Sequence, residues 1–338
     1  MPIHPEIFAL GQRAHEQWNL NKLYVYRTPL VPAKIAGKKQ GAKLWFKLDH
    51  TQFTGSYHFR AAIAKMKNNP LKKPFVTAST GNHAMGAALA AHALGTRVTI
   101  VMPMVAEKHM LDKVLQYGPE IVQHGNDLNE ARAYAKQLAK ESGHIYFSLR
   151  DNMLVLAGLG TVCVEVLQQF EAYEKNIHNI FAPMSDIALI AGIGCFATDA
   201  KRQAGIYRPK VKVWGVTALN SMTLAASLSA GFPIETETSP TIAAYESDND
   251  VIRRGNKSMD FRAARATVNH VVTCTEAEIL MALRQLHIQE KHYVDGFSAL
   301  ALAGFNKVAE KVKHETSTVI LCSGNYDRDK MRKLVYGS

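Results

Sequence analysis

Cysteine is scarce in this sequence: four in 338 residues, Cys163, Cys195, Cys274 and Cys322. No two fall at CxxC spacing, which excludes a disulfide scaffold, a zinc ribbon and a thioredoxin-type pair. Scattered thiols suit a reducing compartment, so the sequence predicts a cytoplasmic protein. Apolar runs of membrane-spanning length are not apparent, and Met1 to Asn19 holds no apolar stretch of signal-peptide type; no membrane partner is expected. Acidic residues are the minority charge, 29 against 40 Lys and Arg, a net of +11. The basic residues come in pairs such as Lys38-Lys39, Lys72-Lys73 and Arg253-Arg254, without a stripe of interleaved aromatics. The excess therefore reads as solvated surface, and no nucleic-acid partner is expected. Low-complexity linkers and fixed-period repeats are absent, and 47% hydrophobic with 20% charged residues excludes disorder, collagen and coiled coil.

What is present is a regular alternation of short apolar runs and helical segments. Strands are predicted at 44–48, 75–78, 98–102, 121–123, 145–148, 180–183, 211–216 and 318–320, and helices at 56–66 (Ser56 as its cap), 84–93, 107–116 and 128–141. Continuous apolar strands alternating with helices imply parallel sheets covered on both faces, an α/β doubly wound architecture. The least regular stretch, 231–266, carries an acidic run at 246–250 and reads as a surface excursion.

In such folds ligands sit in the loops between strand and helix. Four loops are informative: Gln52-Phe-Thr-Gly-Ser-Tyr-His-Phe-Arg-Ala-Ala62, Ala78-Ser-Thr-Gly-Asn-His83, Met184-Ser-Asp-Ile-Ala-Leu189 and Leu321-Cys-Ser-Gly-Asn325. With Arg27-Thr-Pro-Leu30, Val101-Met-Pro103, Tyr117-Gly118, Ala157-Gly-Leu-Gly-Thr161, Glu165 and Gly215-Val216, they resemble in order the fold type II pyridoxal-phosphate enzymes of the tryptophan-synthase-β type, above all threonine and serine dehydratases. The resemblance runs from about Arg27 to the C-terminus. It implies a large domain at 1–52 and 157–338, a small inserted domain at 53–156, a cofactor cleft between them, and a homodimer.

The same resemblance exposes departures. The family's first motif ends Ser-Phe-Lys, the lysine forming the Schiff base; here His58 stands in its place. An imidazole has no primary amine, so the covalent anchor is lost, although it could act as a general base near neutral pH. Lys65, two turns on along the same helix face, lies roughly 10 Å away by helix rise and would displace any adduct from the ring position. The family's run of four glycines, whose backbone meets the cofactor phosphate, is replaced by Ser185-Asp186-Ile187-Ala188. Asp186 puts a negative charge where a dianion belongs, and is instead suited to start the following helix. Thr217 stands where the family often has an acidic cation ligand, Ala244-Tyr245 replaces an Asp-Gly pair near the ring, and Asp295 matches a family Glu.

Other positions persist. Ser79, Gly81 and Asn82 match the loop that cradles the substrate carboxylate and ring hydroxyl, so an anion site is expected there. Cys322 matches the Ser or Cys that faces the pyridine nitrogen, and equally fits a core cysteine at a strand end. His83 reads as structural. Ala191-Gly-Ile-Gly-Cys-Phe-Ala197 fits the dinucleotide fingerprint GxGxxA, but Gly192 and Gly194 fall inside a predicted helix and no acidic residue follows at 212–216. The expectation is a threonine dehydratase-like pseudoenzyme, with pyridoxal phosphate not held covalently or not held at all, that binds a small anion or amino acid, or acts as an interaction protein. The opposing expectation is an active pyridoxal-phosphate ammonia-lyase acting on a hydroxy amino acid.

Overall fold

The computed structural model describes residues 5–184, 186–203, 211–243 and 254–337. Ser185, Ala244-Tyr245, the acidic run at 246–250 and Arg253 lie outside the described residues. Helix α1 (Pro5–Asn21) precedes strands β1 (Leu30–Pro32) and β2 (Lys43–Lys47). There follow α2 (His58–Lys67), β3 (Phe75–Ala78), α3 (Asn82–Ala93), β4 (Val98–Met102), α4 (Lys108–Leu115), β5 (Glu120–Gln123), α5 (Leu128–Ser142) and β6 (Ile145–Tyr146). The chain then runs through α6 (Met153–Ala172), β7 (Asn179–Pro183), α7 (Ile187–Gln203), β8 (Lys212–Ala218), α8 (Thr223–Ala230), α9 (Met259–Thr267), β9 (His270–Cys274), α10 (Glu276–Arg284), α11 (Gly296–Val308), β10 (Thr316–Ile320) and α12 (Arg328–Tyr336).

The strands form a six-stranded sheet in the order β1-β2-β10-β7-β8-β9 and a four-stranded sheet in the order β5-β4-β3-β6. All pairings are parallel except β1 with β2. Every residue of β3, β4 and β7 is buried, which is why these strands read as unbroken apolar runs: a parallel strand between two helical layers has no solvent face. All four strands of the smaller sheet fall between β2 and β7 in sequence, and the parallel α/β class read from the sequence is the architecture found.

The glycines of the Ala157–Thr161 motif are explained by helix packing. A Cβ on Gly158 would lie 2.7 Å from the Arg60 carbonyl oxygen on α2, and one on Gly160 would lie 2.9 Å from the Gly192 carbonyl oxygen on α7. A Cβ on Gly192 would lie 2.5 Å from the Leu156 carbonyl oxygen, and one on Gly194 would collide with Thr267 Oγ1 on α9. The GxGxxA string therefore serves close helix contact, inside α7 as expected.

Beside this contact lies a buried charge cluster. Lys47 Nζ sits 2.5 Å from Glu165 Oε2, Arg60 reaches Glu165 Oε1 and Asp49 Oδ1 at 2.6 Å each, and all four side chains are fully buried. Thr28 Oγ1 donates to Asp49 Oδ1 at 2.9 Å, Lys47 donates to the Thr28 carbonyl and to Gln169, and Arg60 donates to Thr161 Oγ1. Two cations and two carboxylates cancel, so no net charge is buried. Burial lowers Lys47 to about 8 against the pull of Glu165. Burial alone would raise Asp49, but the Arg60 guanidinium holds its carboxyl below the usual range, while the two carboxylates hold Arg60 above its own. The cluster joins the β1 approach, β2, α2 and α6, and gives Thr28, Arg60, Thr161 and Glu165, all members of the sequence motifs, a structural role.

Four sequence expectations are corrected. Ser56 does not cap α2: the N-cap is Tyr57, and the Ser56 hydroxyl turns to His58 Nδ1 at 2.7 Å. The strand at 145–148 ends at Tyr146. The excursion at 231–266 is not all surface, because Phe261 and Ala264 on α9 are fully buried where that helix packs on α7. Among the described residues one helix, α6, is long and apolar enough to cross a membrane, but 78% of its apolar window is buried inside the fold and Glu165 on it joins the charge cluster.

Removing one member of the cluster strands its partners in a dry interior. Glu165→Gln is expected to lower unfolding stability by about 3–5 kcal/mol in urea titration; a loss below about 1 kcal/mol would mean the cluster is as dispensable as a surface ion pair.

Candidate functional site

Four loops meet at the carboxyl ends of β2, β3, β7 and β10. The first and fourth are joined backbone to backbone: Ser56 bridges Ser323, and Tyr57 N–H donates to the Cys322 carbonyl at 3.1 Å. Asn325 ties the first, second and fourth loops. Its Nδ2 donates to the Thr54 carbonyl at 2.7 Å and to Asn82 Oδ1 at 2.9 Å, and Lys113 Nζ donates to its Oδ1 at 3.0 Å. Gly55 holds φ at +68° beside it, and a Cβ there would lie 2.9 Å from Asn325 Oδ1.

His58, Ser79, Gly81 and Asn82 do come together, along one cavity of about 270 Å³ whose wall is completed by Thr80, His83, Val105, Ala106, Glu107 and Met110. The cavity faces the N-terminus of α3, for which Gly81 is the cap residue. Gly81 N–H is taken by Ser79 Oγ at 3.1 Å, so anion binding there falls to the amides that follow it on α3 and to the Ser79 and Asn82 side chains. Gly81 also admits Met110, whose Cε would collide with a Cβ at that position. Asp186, Ala188 and Cys322 line no part of this cavity. Asp186 instead borders a separate cavity of about 30 Å³ with His83, Arg132 and Arg150 among its walls.

His58 opens α2 and is buried, its ring 4.1 Å from the Tyr57 ring and 6.3 Å from that of His83. Burial, with His83 nearby, holds its pKa well below 6.5. The expectation of a base poised near neutral pH is thereby corrected: a desolvated imidazole stays neutral but binds a proton weakly. His83 has the structural role read for it. It meets Phe147 edge-on at 4.6 Å, and its Nε2 pairs at 2.8 Å with Thr77 Oγ1, which itself donates to the Phe147 carbonyl. Burial lowers His83 to about 3. Lys65 is half-buried on α2 and lines no part of the cavity.

Asp186 immediately precedes α7, and its Oδ1 accepts the Ala188 N–H at 2.9 Å, the helix-starting role expected. Its Oδ2 accepts the Tyr57 hydroxyl. Tyr57 and Asp186 are 0% and 2% exposed. Tyr57 is the residue the sequence reading missed. It stands where the resembled motif has Phe, and only the added hydroxyl signals a partner. Ala188 is buried as the second residue of α7. Cys322 is fully buried, its Sγ 3.6 Å from Ser298 Oγ, and burial pushes its thiol well up. Asp295 caps α11 through the Ser298 N–H at 2.9 Å, accepts the Ser323 hydroxyl, and is raised by burial to about 6. At Thr217 the hydroxyl donates to the Ser221 carbonyl, and this side chain brings no carboxylate to hold a cation.

The chain belongs to the pyridoxal-phosphate dependent enzymes: that family's model matches residues 22–324. Within the family it is 31% identical over 309 residues to the catabolic L-threonine dehydratase TdcB of Staphylococcus aureus, covering 90% of this chain and 85% of that one. Among solved structures it superposes on a threonine deaminase from T.th. with TM-score 0.81 at 29% identity, covering 94% of this chain and 98% of that one. It also superposes on processed threonine deaminase isoform 2 of Solanum lycopersicum with TM-score 0.84 at 26% identity, covering 98% and 88%. The fold type II family and its threonine dehydratase branch are thus established for this chain.

Membership implies pyridoxal phosphate, and the residues present do not fit it at two places. No primary amine stands at position 58. At the N-terminus of α7 the Asp186 carboxylate already occupies an amide that an anion would use. A carboxylate ~4 Å from a phosphate opposes it by a few kcal/mol near a protein surface, and the helix end offsets only part of that.

The buried histidines set a pH dependence. His50, lowered by burial to about 4, His58 and His83 stay neutral when folded, whereas the unfolded chain protonates them below about 6.5. Stability is therefore lost as pH falls through that window. Asp295, raised to about 6, runs in the opposite sense below pH 6 and cancels one of the three protons. His270, His287 and His292, also lowered by burial, add in the same sense as the three, so the expected net is a loss of at least about 2 kcal/mol per pH unit between pH 6 and 5, read by urea titration at each pH; a flat profile there would contradict the burial of these imidazoles.

Proposed function

We propose that this chain is a threonine dehydratase-like protein that has lost covalent pyridoxal-phosphate chemistry and binds a small carboxylate ligand, of amino-acid size, without forming a bond to it. The observation that carries the reading is His58, an imidazole at the position where the family's chemistry needs an amine. The ligand class follows from the cavity that remains. It offers the N-terminal end of α3 for a carboxylate, with Ser79 and Asn82 as hydrogen-bonding neighbours and Val105, Ala106 and Met110 as an apolar wall. At about 270 Å³ it lies just below the range of drug-sized pockets and suits a single amino acid. His58 serves there as a neutral polar wall, hydrogen-bonded to Ser56. The division into a large unit at 1–52 with 157–338 and an inserted unit at 53–156, assembly as a homodimer, and a cytoplasmic location are part of the same reading; the first two rest on family resemblance and the last on the scattered thiols.

A second reading, an active ammonia-lyase acting on a hydroxy amino acid, is favoured by the retained Ser79, Gly81, Asn82 and Cys322 and by relatives named as threonine dehydratases. The two readings separate on one preparation. The protein is purified with added pyridoxal phosphate, reduced with borohydride and digested, and its peptides are mapped. The expected result is no stoichiometric adduct at any lysine, together with a rise in melting temperature on adding one or more free amino acids. A stoichiometric adduct would establish the enzyme reading, and the absence of a shift with every amino acid would remove the ligand.

A further inference from the structure

We infer that Asp186 and Tyr57 form a specificity-determining pair that supplies the chain's own anion at the start of α7 and so excludes an external phosphate from that helix end. The inference deepens the reading above and rests on it for the identity of the cleft. A strand-to-helix loop at the carboxyl end of a parallel sheet is where this fold class receives an anion, because the first helical amides lack partners in the helix. At the β7–α7 loop that role is filled internally. Asp186 Oδ1 takes the Ala188 amide at 2.9 Å, and Oδ2 takes the Tyr57 hydroxyl. Both oxygens of the carboxylate are engaged, and both side chains are buried.

The pair spans two elements. Tyr57 is the N-cap of α2, its ring against that of His58, while Asp186 belongs to the start of α7. The space left beside Asp186 is small, about 30 Å³ against about 270 Å³ for the cavity at His58. Arg132 and Arg150 border that space together with the Asp186 carboxylate. The larger cavity at His58 and Ser79–Asn82 shares only the His83 wall with it. A carboxylate ligand therefore has a place at α3, whereas a phosphate approaching the start of α7 meets a carboxylate already seated there.

The test uses the full-length protein, with Asp186→Gly and Asp186→Asn beside wild type, and inorganic phosphate as the probe at matched ionic strength. Asp186→Gly empties the helix start; Asp186→Asn keeps the shape and an acceptor for Tyr57 while removing the charge, and is read if the glycine variant does not fold. Phosphate is expected to raise the melting temperature of at least one variant several degrees further than that of wild type, any contribution from the α3 end being common to all three proteins. Equal stabilisation of wild type, or none of either variant, would overturn the inference. The outcome is separable from the proposed function: a borohydride adduct in wild type would sink the loss of covalent chemistry, whereas the phosphate comparison reads Asp186 alone and requires no lysine.

Discussion

Arg60 stands two residues after His58 on α2, and its guanidinium is shared between Asp49 beside β2 and Glu165 on α6. With Lys47 it makes a dry cluster in which every charge is matched. Such clusters tolerate the loss of no single member, because the remaining charge has no water to turn to. The cluster fixes the start of α2 against the large sheet whatever residue occupies position 58. The scaffold around position 58 is therefore held independently of the side chain that stands there.

The same separation explains which motifs persisted. Gly158 and Gly160 are held by the contacts of α6 with α2 and α7, and Thr28, Thr161 and Glu165 by the charge cluster. None of these lines either cavity described above. Motifs that look like the signature of an enzyme are here largely the requirements of a helix crossing and an ion pair. The positions that depart, His58 and Asp186, are ones where only chemistry or cofactor contact would have demanded the family residue. Their replacements are accommodated locally: His58 by Ser56 and the Tyr57 ring, Asp186 by Tyr57 and the first turn of α7.

Much of the fold was legible because parallel strands are apolar along their whole length, so β3, β4 and β7 announced themselves within a residue or so. Less local facts were not. Nothing local to the predicted strand at 44–48 marks Lys47 as buried, because its partner Glu165 is distant in sequence. Asn325 sits in a recognised motif, yet its bonds to Thr54 and Asn82 depend on loops from both sheets meeting. The basicity of His58 could not be judged without knowing that the site is dry. The Asp186 helix-start role was legible because it needs only the next two residues, while its second partner, Tyr57, lies 129 positions away.

At the start of α7 Asp186 and Tyr57 close the helix end on themselves, and the proposed exclusion of a phosphate there follows from that closure. The most direct measurement is a crystal structure of the protein grown with excess pyridoxal phosphate. The expected electron density shows the Tyr57 hydroxyl on Asp186 and no ring beside His58. Continuous density for the cofactor, with its phosphate on the first amides of α7 and Tyr57 displaced, would contradict the closure.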